Sequence, residues 1–120
     1  MIETLPERVD ADPWLVHRGR FLNTRFLLEV GSQAWLVQVS EGRIAEVRKG
    51  PFVMPRWSFA LRAAAGTWAE FWQPHPRAGF HDLMAMVRFR TLAVEGDQYP
   101  FVCHLQYIKD VLATLRGAST

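Results

Sequence analysis

The sequence predicts an α+β domain in which a five-stranded, mainly antiparallel sheet is covered by helices. Two patterns point to it. Segments whose apolar residues recur at every second position come in a run between Phe26 and Leu61, and segments with apolar spacing of three and four follow, from Trp68 to Leu115. Alternation marks a half-buried strand, and spacing of three and four marks a helix face. Strands in a run fold back as an antiparallel meander, which leaves a face for helices to cover. Size agrees. The 120 residues suit one domain and leave no room for two, and 49% apolar residues is ordinary for a globular chain and too high for a disordered one.

The first eleven residues are polar with one proline and read as a loose arm. Asp12-Pro13 looks like a helix start, since Asp accepts from free backbone N–H groups and Pro has the φ of the first helical position. A short helix through about His17 follows and ends near Gly19. Residues 1–19 are thus an arm with a short helix, and residues 20–120 the main body of the single domain. Phe26, Leu28 and Val30 alternate with Leu27 and Glu29 in a first strand, and Gly31-Ser32-Gln33 turns the chain. Trp35, Val37 and Val39 alternate with Leu36, Gln38 and Ser40 in a second. Glu41-Gly42 sits where a tight hairpin turn needs positive φ. The return strand runs from Arg43 to Lys49 and stops at Gly50-Pro51. After a turn bounded by Met54-Pro55, Trp57, Phe59 and Leu61 alternate with Ser58, Ala60 and Arg62 in a fourth strand.

The period then changes. A helix from Ala63 to Trp72 shows Trp68, Phe71 and Trp72 on one face and is stopped by Pro74 and Pro76. Phe80, Leu83, Met84 and Val87 form a second short stripe, in a helix starting near His81-Asp82. Leu92 and Val94 suggest the fifth strand, and Glu95-Gly96-Asp97 turns the chain. Phe101, Leu105, Ile108, Leu112 and Leu115 form the apolar face of one last helix, from about Pro100 to Arg116, ended by Gly117.

Charge excludes a nucleic-acid role. The formal net charge is +2, but Arg8, Arg43, Arg48 and Arg62 are interspersed with Glu7, Glu41, Glu46 and Glu70. Beyond Arg18-Gly19-Arg20 and Arg88-Phe89-Arg90 no basic cluster exists to neutralise a row of phosphates. No apolar run approaches the roughly 20 residues of a membrane span, so stable membrane insertion is not expected. The start, Met1-Ile2-Glu3-Thr4-Leu5-Pro6-Glu7, lacks the basic and apolar stretches of a signal peptide, and the end, Ala118-Ser119-Thr120, is not a peroxisomal tripeptide. The expected location is the cytoplasm of a bacterium. Cys103 is the only cysteine, so neither an internal disulfide nor a multi-cysteine metal site can form.

The polar residues specify no reaction. His17, His75, His81 and His104 include no pair three or four apart, the spacing of helical zinc ligands, and no metal or cofactor is expected. Cys103 and His104 are neighbours, which on a helix point about 100° apart. They do not make a nucleophile–base couple, and His104 reads as a packed or rim residue beside the last stripe. His81-Asp82 could be an acid–base couple, yet Asp82 also fits the first turn of a helix, where its charge suits the dipole. Glu95 and Asp97 would share a strand face as a carboxylate pair. The structural assignment is a turn at Gly96 with Asp97 capping the next helix. Neither a Gly-rich phosphate loop nor a Gly-x-Ser-x-Gly elbow is present.

The aromatic load stands out, with five tryptophans in so short a chain. Trp35, Trp57, Trp68 and Trp72 fall on apolar faces, where Phe59, Phe71, Phe80 and Phe101 join them. With Met84, Leu105 and Ile108 these residues are the candidate wall of an apolar cavity between sheet and helices. An ordinary closed core is the alternative.

The order of these pieces resembles the sterol carrier protein type 2 family over roughly Arg20 to Arg116. The resemblance is carried by the Glu41-Gly42 hairpin, Gly50-Pro51, the Trp57-Phe59-Leu61 strand, and the Ala- and Trp-rich helix to Trp72. Its most specific part is Glu95-Gly96-Asp97 after Leu92 and Val94, leading into a closing amphipathic helix. Pro55-Arg56 stands where the family usually has Pro-Asp, and Arg90-Thr91-Leu92 where it has Gly-Lys-Leu. The resemblance implies a five-stranded sheet covered by helices, with a tunnel between them for fatty acyl chains, sterols or similar lipids. The expected function is therefore non-catalytic binding or carrying of an apolar or lipid-like molecule. The second reading is an accessory protein of a metabolic complex with a closed cavity. A third is an enzyme on an apolar substrate, with His104 or His81 as general base. A homodimer through a sheet edge or apolar patch is compatible with any of them.

Overall fold

The computed structural model describes residues 2–52 and 56–116. The turn expected at Met54-Pro55 and the helix stop at Gly117 lie outside them. The first residues are not a loose arm. A 3-10 turn over Ile2–Thr4 leads into α1 (Leu5–Asp10), and Ile2, Leu5 and Val9 are buried. Their spacing of three and four is a helical stripe, hidden in the sequence by the charged residues between them. Asp12 caps α2 (Pro13–Arg18), its carboxylate accepting from Leu15 N at 3.3 Å.

Strands β1 (Asn23–Val30), β2 (Gln33–Ser40) and β3 (Arg43–Lys49) form the expected antiparallel meander. At the β2–β3 turn, Glu41 has φ 52° and Gly42 has φ 83°, the two left-handed residues a tight hairpin requires. The meander then stops. β4 (Phe59–Ala63) does not pair with β3; it crosses to the free edge of β1 and runs parallel to it, Phe26 opposite Phe59. Beyond β4, β5 (Ala93–Gly96) pairs antiparallel, so the sheet order is β3-β2-β1-β4-β5. α1 packs against β3, the strand at the opposite edge of the sheet from β5.

Helices α3 (Ala65–Phe71) and α4 (Leu83–Arg88) follow as expected in kind, the second capped by Asp82, which accepts from Met84 N at 3.0 Å. The single last helix is in fact two, α5 (Gln98–Cys103) and α6 (Leu105–Ala113), separated at His104. Asp97 caps α5 through Tyr99 N. The break turns the buried face, so that Phe101 on α5 and Tyr107, Ile108, Val111 and Leu112 on α6 all reach the interior while Leu105 is half-buried.

All helices lie over one face of the sheet, where Phe26, Leu28, Val37, Phe59 and Leu61 are buried in one cluster with Trp68, Phe71, Leu83 and Ile108. The opposite face carries a small second cluster, Leu27, Leu36 and Ala60, with Ala34, Phe52 and Trp57 packed against it. Phe52 and Trp57, on either side of the undescribed residues between β3 and β4, both pack on this face.

Candidate functional site

The interior between sheet and helices is the candidate site, and its geometry is set by ring contacts. Phe26 and Phe59, opposite one another on the parallel pair, stack at 5.3 Å between centroids. Phe101 meets Phe59 at 5.7 Å. On α3, Trp68 meets Phe71 edge-on at 5.8 Å and stacks with Trp72 at 5.5 Å. Both indoles are tied by their N–H groups, Trp68 Nε1 to Glu29 O at 2.8 Å and Trp72 Nε1 to Leu112 O at 3.0 Å. Buried tryptophans need such partners, and here the partners join α3 to β1 and to α6. Trp35 sits at the rim, donating to Glu3 Oε1 at 3.1 Å. That bond and a backbone hydrogen bond, the larger effect, hold the Glu3 carboxyl at about 2.

Of the eleven residues expected to wall a cavity, Trp35, Phe59, Trp68, Phe71, Trp72, Phe101 and Ile108 are buried in this cluster, and Phe80 and Leu105 pack against it. Two are placed elsewhere. Trp57 lies on the far face of the sheet, against Leu27, Leu36 and Ala60. The strand starts at Phe59 and Ser58 is a bend, so the alternation that put Trp57 with Phe59 does not extend to it. Met84 is half-buried, while Leu83 and Met86 of α4 are fully buried. The inward stripe is Leu83, Met86 and Val87, and Met84 is one position off it. Tyr107 escaped the sequence reading because the break at His104 shifts the stripe. Its hydroxyl donates to Gly42 O at 2.7 Å, and burial pushes it up to about 12. Phe26 and Leu28 were legible as inward-facing but not as ring partners, since their contacts come from β4.

The polar candidates are mostly engaged in structure. Asp82 and Asp97 cap helices. Arg62 donates to both Glu95 and Glu29, and its hydrogen bond to Glu29 is the main cause holding the Arg62 guanidinium above its usual range. His81 is exposed, and its backbone oxygen accepts from Arg116. His104 is half-buried beside Cys103, Arg18, Gln106 and Tyr107 in a surface hollow of about 210 Å³. Among the described residues no group of three or more His, Cys, Asp or Glu is arranged to hold a metal, and no helix is long and apolar enough to cross a membrane.

No family model matches the chain, and no curated protein is detectably similar to it in sequence. Solved structures are similar in fold. A sterol carrier protein 2 crystal structure superimposes with a TM-score of 0.79 at 11% identity, over 97% of this chain and 93% of that one. A conserved hypothetical protein of Thermus thermophilus gives 0.71 at 11% identity, over 95% and 85%. UbiJ-SCP2, a ubiquinone synthesis protein, gives 0.60 at 20% identity, over 95% and 87%. The chain has the α+β fold of sterol carrier protein 2, a five-stranded mixed sheet with helices.

Proposed function

We propose that this sterol-carrier-like domain binds an apolar or lipid-like molecule between its sheet and its helices and performs no chemistry on it. One observation carries the reading: an apolar core of packed rings between sheet and helices, in a fold that matches sterol carrier protein 2 along nearly its whole length. The covering layer supports it. Its helices are six to nine residues long, so no single rigid element closes the interior, and short segments part at lower cost than a long bundle. The energetics permit binding. Burying a chain of about sixteen carbons gains roughly 12 kcal/mol at about 0.8 per methylene. Association takes back at least about 4 kcal/mol, and the remaining roughly 8 kcal/mol corresponds to about micromolar affinity, which the cost of parting the rings then weakens. The non-catalytic part of the reading rests on the capping and ion-pairing tasks that occupy Asp82, Asp97, Glu29 and Glu95.

A second reading is favoured by the mutual contact of the rings, and by UbiJ-SCP2 among the similar structures. In it the interior stays closed and the domain serves as an accessory protein of a metabolic complex. Native mass spectrometry of the purified protein followed by organic extraction separates the two. Bound lipid, or a thermal midpoint of the stripped protein that rises on adding fatty acid, supports the carrier. At a hundred times the dissociation constant the gain is about 2.7 kcal/mol, a rise of roughly 10 °C for a domain of this size. No extractable lipid together with an unmoved midpoint rejects the carrier and leaves the accessory protein. Turnover of a candidate lipid that is lost in both His81→Ala and His104→Ala, with folding intact, would overturn the non-catalytic assignment.

A further inference from the structure

At the far end of the sheet, β1 runs three residues beyond its pairing with β4. Asn23, Thr24 and Arg25 remain paired with β2, but β4 begins only at Phe59, opposite Phe26. The chain entering β4, Arg56 to Ser58, diverges there, anchored by Ser58 N donating to Arg25 O at 2.7 Å and by Ser58 O accepting from Asp97 N at 2.8 Å. The fork so formed is an open cleft of about 490 Å³, lined among others by Thr24, Arg25, Ser40, Arg56, Trp57 and Ser58.

None of its lining residues is acidic. Five arginines outside it meet carboxylates: Arg18 with Asp110, Arg43 with Asp10, Arg48 with Glu46, Arg62 with Glu29 and Glu95, Arg77 with Glu70. Arg8, Arg20 and Arg116 instead donate to hydroxyl or carbonyl oxygens. Among the described residues, neither Arg25 nor Arg56 has a carboxylate partner. Arg25 is steadied instead by Gln38, whose Oε1 accepts from Nη2 at 3.1 Å. Glu41, next to Ser40, gives its backbone N–H to Asn23 Oδ1 and lies outside the lining, and Glu46, which shares a neighbouring hollow with Arg25, pairs with Arg48. Thr24 Oγ1 is the one buried side-chain polar atom found without a hydrogen-bond partner among the described residues. Such orphans are rare in folded proteins, and rotation about χ1 exchanges this hydroxyl with the neighbouring methyl. Thr24 faces the helix-covered side with Phe26, opposite Arg25, so the cleft offers two planar guanidinium groups, the hydroxyls of Ser40 and Ser58 and an indole, which suit an anion held by charge-assisted hydrogen bonds with its apolar body against the indole.

We propose that this fork is a binding site for a small organic anion, its phosphate or carboxylate group held by Arg25 and Arg56 and its apolar part lying on Trp57. The site stands apart from the ring-lined interior and does not depend on the carrier reading. The probe is phenyl phosphate, titrated into the nitrogen-15-labelled full chain and followed by NMR. Saturable shifts are expected at the Trp57 indole N–H and at the amides of Thr24, Ser40 and Ser58. Arg25→Gln and Arg56→Gln should each weaken binding about tenfold, the value of one charge-assisted contact, and the double variant should abolish it. An unchanged spectral dispersion shows that each variant is folded, and Trp57→Phe, which keeps a ring, should weaken binding less than either arginine change. No saturable shift up to about 10 mM, a range that covers even millimolar affinity, overturns the proposal. So do shifts scattered over the charged surface, or binding that survives the double variant. A competition arm identifies the anion's source. Displacement of phenyl phosphate by dihexanoylphosphatidic acid at lower concentration assigns a lipid headgroup, and weaker or absent displacement assigns a free organic anion.

Discussion

At Tyr107 the phenol donates to Gly42 O at 2.7 Å in a buried setting, and Gly19 passes so close that a Cβ there would lie 2.2 Å from the ring. One residue thus pins α6, the end of α2 and the β2–β3 turn. Its acidity follows from burial, which raises it from the ordinary 10 to about 12. Below pH 10 the phenol is neutral in folded and unfolded chains alike, and the hydrogen bond is fully present. Between 10 and about 12 the unfolded chain ionises first, so stability falls as pH rises, by about 2 kcal/mol at most. Urea unfolding of the wild type between pH 8 and 12 should show this alkaline decline. Tyr107→Phe should lose about 1 kcal/mol at neutral pH and flatten the decline. Thr24 is the opposite case. Its buried hydroxyl has no partner among the described residues, so Thr24→Val, of nearly the same shape, should raise stability by about 1 kcal/mol. A loss of that size in denaturant unfolding would show that the hydroxyl is bonded in solution.

Among the elements, α1 has the most to do for its length. It packs against β3, an edge strand of the kind whose outer hydrogen-bonding groups are open to pairing. Leu5 and Val9 have no exposed surface, so Leu5→Ala should cost about 2–4 kcal/mol in denaturant unfolding. Removing residues 2–11 should uncover both the edge and the Trp35 rim, and sedimentation should then show self-association that the full chain lacks at the same concentration. An unchanged sedimentation coefficient per chain would mean that β3 protects itself. The crossover between β3 and β4 works on the other face. Phe52 and Trp57 pack over Leu27, Leu36 and Ala60, which explains why an otherwise charged sheet face keeps three buried apolar residues.

For the molecule as a whole, the sheet separates two chemistries. Rings fill the helix-covered side, and the cleft at the fork has two arginines. Binding at sites that share no residues adds without coupling. Saturating phenyl phosphate should therefore leave the midpoint rise caused by fatty acid unchanged. A rise altered by more than about a third would show that the two regions exchange strain, since independent contributions usually add within about 0.5 kcal/mol. Compactness agrees with one body: the radius of gyration over Cα atoms is 13.2 Å, close to the roughly 13.6 Å expected for a folded chain of this length.

Local physics made much of this protein legible in its sequence. The β2–β3 hairpin with its turn at Glu41-Gly42, the caps at Asp12, Asp82 and Asp97, and the inward faces of β1, β2 and α3 depend on residues within a few positions of one another. So does the α+β class, since the change of period from two to three and four is itself a local pattern. Long-range contact decided the rest. The place of β4 beside β1 is a pairing between distant stretches, Phe26 opposite Phe59, that neither segment's own pattern reports. Trp57 went to the far face because the crossover chose it, and the last helix broke at His104 so that both halves could bury their apolar side chains. The fork is drawn from residues 23–25, 38–40 and 56–58. No spacing within any one of these segments reports it, because it exists only where a parallel pairing between distant stretches begins.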